Sequence, residues 1–222
     1  MRFFSALFII LCCFNLIYGQ IVTIDKNSTS KNEVIHDLLA LQKSLIIPSQ
    51  KPIPKERAKT GFLIVSMKPE FVEHLLEKKD GCIICDYRDH TLVGYILLTD
   101  TTEFKELYQD AAIGRFETSL DLNSFETWAS QPTVGYIEQI AVEPNYSRTG
   151  IGHGLMEVAK ALRPDGLIAD VFIYPVMNEP SLKFFSRQGF TKPGILHQTS
   201  AANSNFPYEH RTQAFIWKAL PT

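Results

Sequence analysis

Hydrophobic and polar residues alternate along Tyr136–Val142, and the alternation gives way beyond Glu143-Pro144-Asn145 to a period of three and four. Tyr136, Glu138, Ile140 and Val142 fall on one face of a predicted strand, which reads as buried. Proline cannot continue a central strand, so the run stops there. Ile151, Leu155, Val158, Ala159 and Leu162 then recur at helical spacing. Between strand and helix lies Arg148-Thr149-Gly150-Ile151-Gly152. A strand, a short glycine loop and the first turn of a helix bring free backbone N–H groups to one point. Such an end attracts phosphate through its unpaired donors and its dipole.

The same reading places elements on either side. Ile21–Asp25 is a first strand, and Ser30-Lys31-Asn32-Glu33 is a capping box before a helix faced by Val34, Leu38, Leu41 and Leu45. Proline and lysine crowd 48–60, a mobile connection, and Gly61–Ser66 is a short strand. Pro69–Lys79 is a helix stopped at Asp80-Gly81. Cys82–Tyr87 and Thr91–Leu98 form a hairpin around Arg88-Asp89-His90, with His90 a solvated turn residue. Residues 99–132 form a long insertion, part helical, whose aromatics are Phe104, Tyr108, Phe116, Phe125 and Trp128. Leu167–Tyr174 is a strand, and Asn178 caps a helix that Gly189 ends. Ile195–Thr199 and Ala214–Lys218 close the sheet, and the polar loop between them is a second candidate for touching a substrate.

Composition narrows the classes. A chain of 222 residues, 45% hydrophobic and 21% charged, suits one globular domain. A net charge of −2 makes no general electrostatic case for nucleic acid or an anionic membrane surface. Residues 1–19 read as a leader: Arg2, then an apolar run, then Gly19 and Gln20. The run is short for a membrane span, which needs roughly 20 residues, and fits a signal peptide or signal-anchor. Export or membrane anchoring follows if that leader works, and a cytoplasmic place otherwise. Membrane contact is expected only through an uncleaved leader. The folded unit is then 20–222. Of four cysteines, Cys12 and Cys13 lie in the leader. Cys82 and Cys85 sit in a predicted strand with no second pair at ligand spacing, so buried strand cysteines are expected and no metal site.

The glycine loop by itself says little. Gly150 and Gly152 would let a pyrophosphate approach the backbone without a β-carbon in the way. The Gly-Lys-Ser/Thr ending of a Walker loop is absent. Gly150, Gly152 and Gly154 are spaced G-x-G-x-G, which is not the dinucleotide fingerprint. A plain strand-to-helix turn is the simpler reading until Asn178-Glu179-Pro180-Ser181, Phe184-Phe185 and Gly189-Phe190 are added. Together the two segments resemble the GNAT acetyltransferase superfamily, strongly over 134–191 and loosely over 21–219. That resemblance implies an α/β fold: a mixed central β-sheet, splayed at its middle strands and flanked by helices, in a single domain. It implies acetyl-CoA as co-substrate, bound at the splay.

In that family the loop N–H groups hold the pyrophosphate, which here means Arg148, Thr149, Gly150, Ile151, Gly152, His153 and Gly154, with Arg148 and Thr149 as side-chain helpers. Arg148 equally fits a solvated surface charge. Backbone groups of Ile140, Ala141 and Val142 would pair with the pantetheine arm, and an N–H there can serve a developing oxyanion. Asn178, Ser181 and Phe185 share a helix face that would meet the cofactor, although Asn178 is equally a helix cap. Glu138, on the central strand, is the candidate base, with a salt-bridged strand glutamate as its plainer reading. Two departures stand out. Ser147 replaces a usual glutamine or arginine, and Phe185 replaces a tyrosine that often protonates the leaving thiolate, so water or Tyr174 would stand in. The implied activity is acetyl transfer to a primary amine of a small molecule or peptide; the alternative is a non-catalytic acyl-CoA-binding module. No motif specifies the acceptor or an oligomeric state.

Overall fold

One eight-stranded sheet runs through the molecule and opens at its middle. The chain is described by a computed structural model over residues 19–47, 54, 56–64, 66–78, 80–110, 113–199 and 209–218. All but the last residue of the leader, most of the connection after Ile47 and the 200–208 loop lie outside the described residues, together with the expectations placed on them. The elements are β1 (Gln20–Ile24), α1 (Lys31–Leu45), α2 (Arg57–Thr60), α3 (Pro69–Glu77), β2 (Cys82–Arg88), β3 (Thr91–Thr99), α4 (Thr102–Gln109) and β4 (Gly114–Thr118). They continue as α5 (Leu122–Ala129), β5 (Val134–Val142), a 3-10 turn (Pro144–Tyr146), α6 (Ile151–Leu162), β6 (Gly166–Tyr174), α7 (Glu179–Arg187), β7 (Thr191–Gln198) and β8 (His210–Trp217).

Strand order is β1-β2-β3-β5-β6-β8-β7-β4. Every pairing is antiparallel except β5 with β6. That parallel ladder is short, running from Val134↔Gly166 to Ile137↔Ala169. Beyond it β5 stays on β3 as far as Val142, while β6 stays on β8 through Tyr174. The two middle strands therefore part from Glu138 and Asp170 onward, and a V-shaped opening forms in the sheet. The splayed α/β fold expected from the sequence is present.

Apolar side chains fix each layer. On one face α1 buries Val34, Ile35, Leu38, Leu41 and Leu45 against Ile83, Cys85, Tyr95, Leu97 and Ala141, with Val72, Leu75 and Leu76 of α3. On the other, Ile151, Leu155, Met156 and Ala159 of α6 meet Ile84, Val93, Ile96 and Ile137. Leu38 and Leu155 are fully buried, and burying a leucine stabilises by about 1.5–3 kcal/mol. The insertion packs its own core of Phe104, Phe116, Phe125 and Ala129 against Val134, Tyr136 and Ile168. It contains β4 as well as helices, and β4 extends the sheet beyond β7.

Four expectations are corrected. Ser30 sits at the N-cap of α1, but its side chain makes no capping hydrogen bond, so the capping box is not formed. The described residues of 61–66 do not form a strand; Leu63 makes one isolated parallel bridge to Ile46. The strict alternation along 136–142 fails because β5 carries a bulge, with Leu98 opposite Ile137 and Leu97 opposite Gln139. Glu138 is the extra residue. Ile137 and Ile140, three apart, consequently share the α6 core, and Ile140 is not on the face that Tyr136 occupies. Tyr174, expected near the leaving group, is instead 49% exposed beneath Arg211 and does not line the cavity described below.

Two plainer readings hold. Asp89 and His90 both take positive φ in the hairpin turn, and His90 is exposed. Cys82 and Cys85 are buried free thiols in the cores on opposite faces of β2. Burial pushes their pKa values to about 11 and about 12.

Candidate active site

The opening between β5 and β6 is floored by the bulge. A cavity of about 930 Å³ lies there, within the size range of small-molecule sites. Its wall includes Tyr136 to Ile140 from β5, Asp170 to Phe172 from β6, and Asn178, Ser181 and Phe185 from α7. The rest comes from the segment before α3, from α3 and α4, and from β7 and β8. Glu138, the candidate base, thus stands where the strands part. Burial, then the facing Asp170 carboxylate, raises its pKa to about 7; Lys78 and a 3.5 Å contact from Thr99 Oγ1 pull the other way, and Asp100 adds to the rise. A carboxyl half ionised near neutrality is suited to taking a proton.

Asp170 was not among the expected site residues. The Tyr136 hydroxyl donates to its Oδ1, which fixes the carboxylate toward the cavity. The Tyr136 hydroxyl itself is held protonated, its pKa raised well above the usual value by burial and by Asp170. A signal was available: Asp170 is the single charge in the apolar run LIADVFIY. Gln139 was also missed. It accepts from the Tyr95 hydroxyl and from Gln42 Nε2 (2.8 Å), and Gln42 Oε1 in turn accepts from Met67 N–H (2.9 Å). This buried relay ties the cavity wall before α3 to the strand beside the bulge.

Beyond Ile137, β5 has no paired neighbour on its β6 side among the described residues. The backbone of Ile140, Ala141 and Val142 is therefore positioned to pair with an extended ligand; of these three, only Ile140 lines the cavity. The loop that follows is shaped by Arg148 and Gly150, at φ 65° and 94°. The first intrahelical bond of α6 runs from Gly154 N–H to Gly150 O (2.9 Å), which leaves the N–H groups of Ile151, Gly152 and His153 at the helix end. A β-carbon on Gly150 would meet nothing within 4 Å, so the loop faces open space. One on Gly152 would lie 3.1 Å from the Phe184 ring, so that glycine also serves helix packing. Arg148 is exposed, the Thr149 hydroxyl donates to Tyr146 O (2.6 Å), and His153 Nδ1 meets Gln188 Oε1 (3.2 Å).

On α7, Asn178, Ser181 and Phe185 do share the cavity-facing side. Asn178 is buried with both ends of its amide engaged: Oδ1 accepts from Ser181 N–H (3.4 Å), and Nδ2 donates to Phe62 O (3.0 Å). It is a helix cap that also fastens the cavity wall. Phe185 is 2% exposed and packs against Phe184, Phe190 and Phe215. Among the described residues no group of three His, Cys, Asp or Glu could hold a metal, and no helix is long and apolar enough to cross a membrane.

Residues 51–190 match the acetyltransferase (GNAT) family, and the chain belongs to it. It is accordingly an acyltransferase. Solved structures share the fold at low identity. The ribosomal-protein-S18-alanine N-acetyltransferase of Escherichia coli is 10% identical, with 92% of this chain and 96% of that one covered at a TM-score of 0.54. For smu.2055 of Streptococcus mutans the figures are 13%, 90%, 99% and 0.56. For Arabidopsis thaliana NAA60 in complex with a bisubstrate analogue they are 14%, 90%, 98% and 0.50. None of the curated protein sequences matches the chain.

Proposed function

We propose that the protein moves an acetyl group from acetyl-CoA directly to a primary amine of a small molecule or peptide. The observation that carries this reading is the Glu138 carboxyl, raised to about 7 and set at the bulge where β5 leaves β6. The chain fits acetyl-CoA, since the Gly150 loop faces open space and β5 has an unpaired edge beside it. When bound, acetyl-CoA supplies the acetyl thioester. The N–H groups of Ile151, Gly152 and His153 hold its pyrophosphate, with Arg148 at hand. The edge of Ile140 to Val142 orients the pantetheine arm, and Glu138 takes the amine proton, through a water where it does not reach directly. Incubating the protein with acetyl-CoA and a panel of amines, and following free thiol, tests the reading. Thiol release that no amine increases would refute it.

Phe185 offers no proton, and a thiol with a pKa of roughly 8 to 9 can leave without one. Phe185→Tyr should therefore give equal or higher turnover in that assay. Phe185→Ala should lower unfolding free energy by about 3–5 kcal/mol in denaturant titration, because the ring fills a core of three other phenylalanines. Full stability of the alanine variant would show that the ring is not a packing wall.

A further inference from the structure

The cavity beside Glu138 has a distinctive charge. Its deep wall carries two carboxylates, Glu138 and Asp170, while the only lysine or arginine among the described lining residues is Lys68, exposed at the rim. Glu103, which also lines the cavity, is already ion-paired to Lys78. A ligand group with negative charge would thus leave water to face two carboxylates, and the one lysine that acts on Glu138, Lys78, is already engaged by Glu103. A protonated amine gains from the same wall.

Beside the carboxylates the wall is aromatic. Phe62 and Phe172 meet edge to face at 6.2 Å and 81°, and Phe172 stacks on His210 at 5.4 Å and 23°. The three rings are buried and all line the cavity. Thr212, two residues along β8 from His210, is 4% exposed, and its Oγ1 has no hydrogen-bond partner among the described residues. It lines the same wall.

Resting on the transfer reading above, we propose that the acceptor is a compact primary amine with an aromatic body and no carboxylate, held as its ammonium by Asp170. The Tyr136 hydroxyl keeps Asp170 aimed, the body lies against Phe62, Phe172 and His210, and Glu138 is left to take the proton. Asp170 is then a specificity residue as well as a neighbour of the base.

The test compares 2-phenylethylamine, phenylalanine, butylamine and a short peptide with a free N-terminus. Thiol release is followed with acetyl-CoA present, and binding of each compound is measured separately by calorimetry without it. Phenylethylamine should exceed phenylalanine by about a hundredfold in kcat/KM and bind correspondingly tighter, since the two differ by the carboxylate. It should also exceed butylamine and the peptide. Asp170→Asn, which still accepts from Tyr136, should raise the KM for phenylethylamine about tenfold or more and narrow the gap to phenylalanine, with acetyl-CoA affinity unchanged. Phenylalanine or the peptide performing as well, an intact preference in folded Asp170→Asn, or no binding of any of the four overturns the proposal. Binding in the expected order without thiol release would instead sink the transfer reading and leave the ligand class standing. Thiol release favouring the peptide would do the reverse.

Discussion

Glu138→Gln should lower kcat by on the order of a hundredfold or more and leave acetyl-CoA affinity unchanged. The amide matches the carboxylate in shape, so the bulge and the cavity wall persist while the proposed proton acceptor is lost. In the wild type, kcat/KM should rise with pH through about 7 and level off above it, because only the ionised carboxylate accepts a proton. Asp170→Asn should carry that limb to lower pH, since Asp170 is the second cause of the raised value after burial. Stability supplies an independent readout. With a pKa raised from 4.5 to about 7, the folded form holds a proton that the unfolded form has released, so Glu138 opposes folding increasingly from pH 4.5 to 7 and fully above 7. Glu138→Gln should therefore melt several degrees higher than wild type at pH 8, with the gain shrinking toward pH 5. Unchanged turnover and an unchanged pH profile would mean that another group or bulk water takes the proton.

Legibility of this fold tracked the range of the interactions involved. The strand-loop-helix from Tyr136 to Leu162 and the Asn178 helix were readable because their periods and stops are local: Pro144, Gly150 and Gly189 each act within a few residues. The bulge at Glu138 was not. It exists because β3 pairs Leu97 with Gln139 and Leu98 with Ile137, and nothing within 136–142 announces a partner's register. The face assigned to Ile140 was wrong for that reason alone. GFLIVS at 61–66 looks like a strand because it is apolar, yet Phe62 is buried by lying over the opening, where it meets Phe172 and its carbonyl accepts from the Asn178 amide. Asp170 could have been picked out as a charge inside an apolar strand. Its pairing with Glu138 could not, because two strands 32 residues apart in sequence become neighbours only through the parallel ladder that ends beside them. Thr212 and His210 line the cavity from β8, the last described strand, and no motif spans that distance.

Gly150→Val should weaken acetyl-CoA binding by about a hundredfold or more in calorimetry, the second large effect expected. Two physical causes converge at this position. At φ 94° a β-branched residue is strained by about 1–3 kcal/mol, so the loop would shift the N–H groups that follow it. The new side chain would also project into space that is open to at least 4 Å, where a pyrophosphate bound at the end of α6 must pass. Gly150→Ala separates the two causes, adding the strain with one methyl group, and should lie between wild type and valine. Gly152 is the poorer probe, because its β-carbon would press on Phe184 at 3.1 Å and disturb the contact of α6 with α7 whether or not ligand binds there. Arg148→Ala should weaken binding by less than Gly150→Val and more steeply at low salt, as an exposed charge acting on phosphate does. A folded Gly150→Val protein with wild-type acetyl-CoA affinity would remove the loop from the binding site, whatever the family resemblance of its sequence.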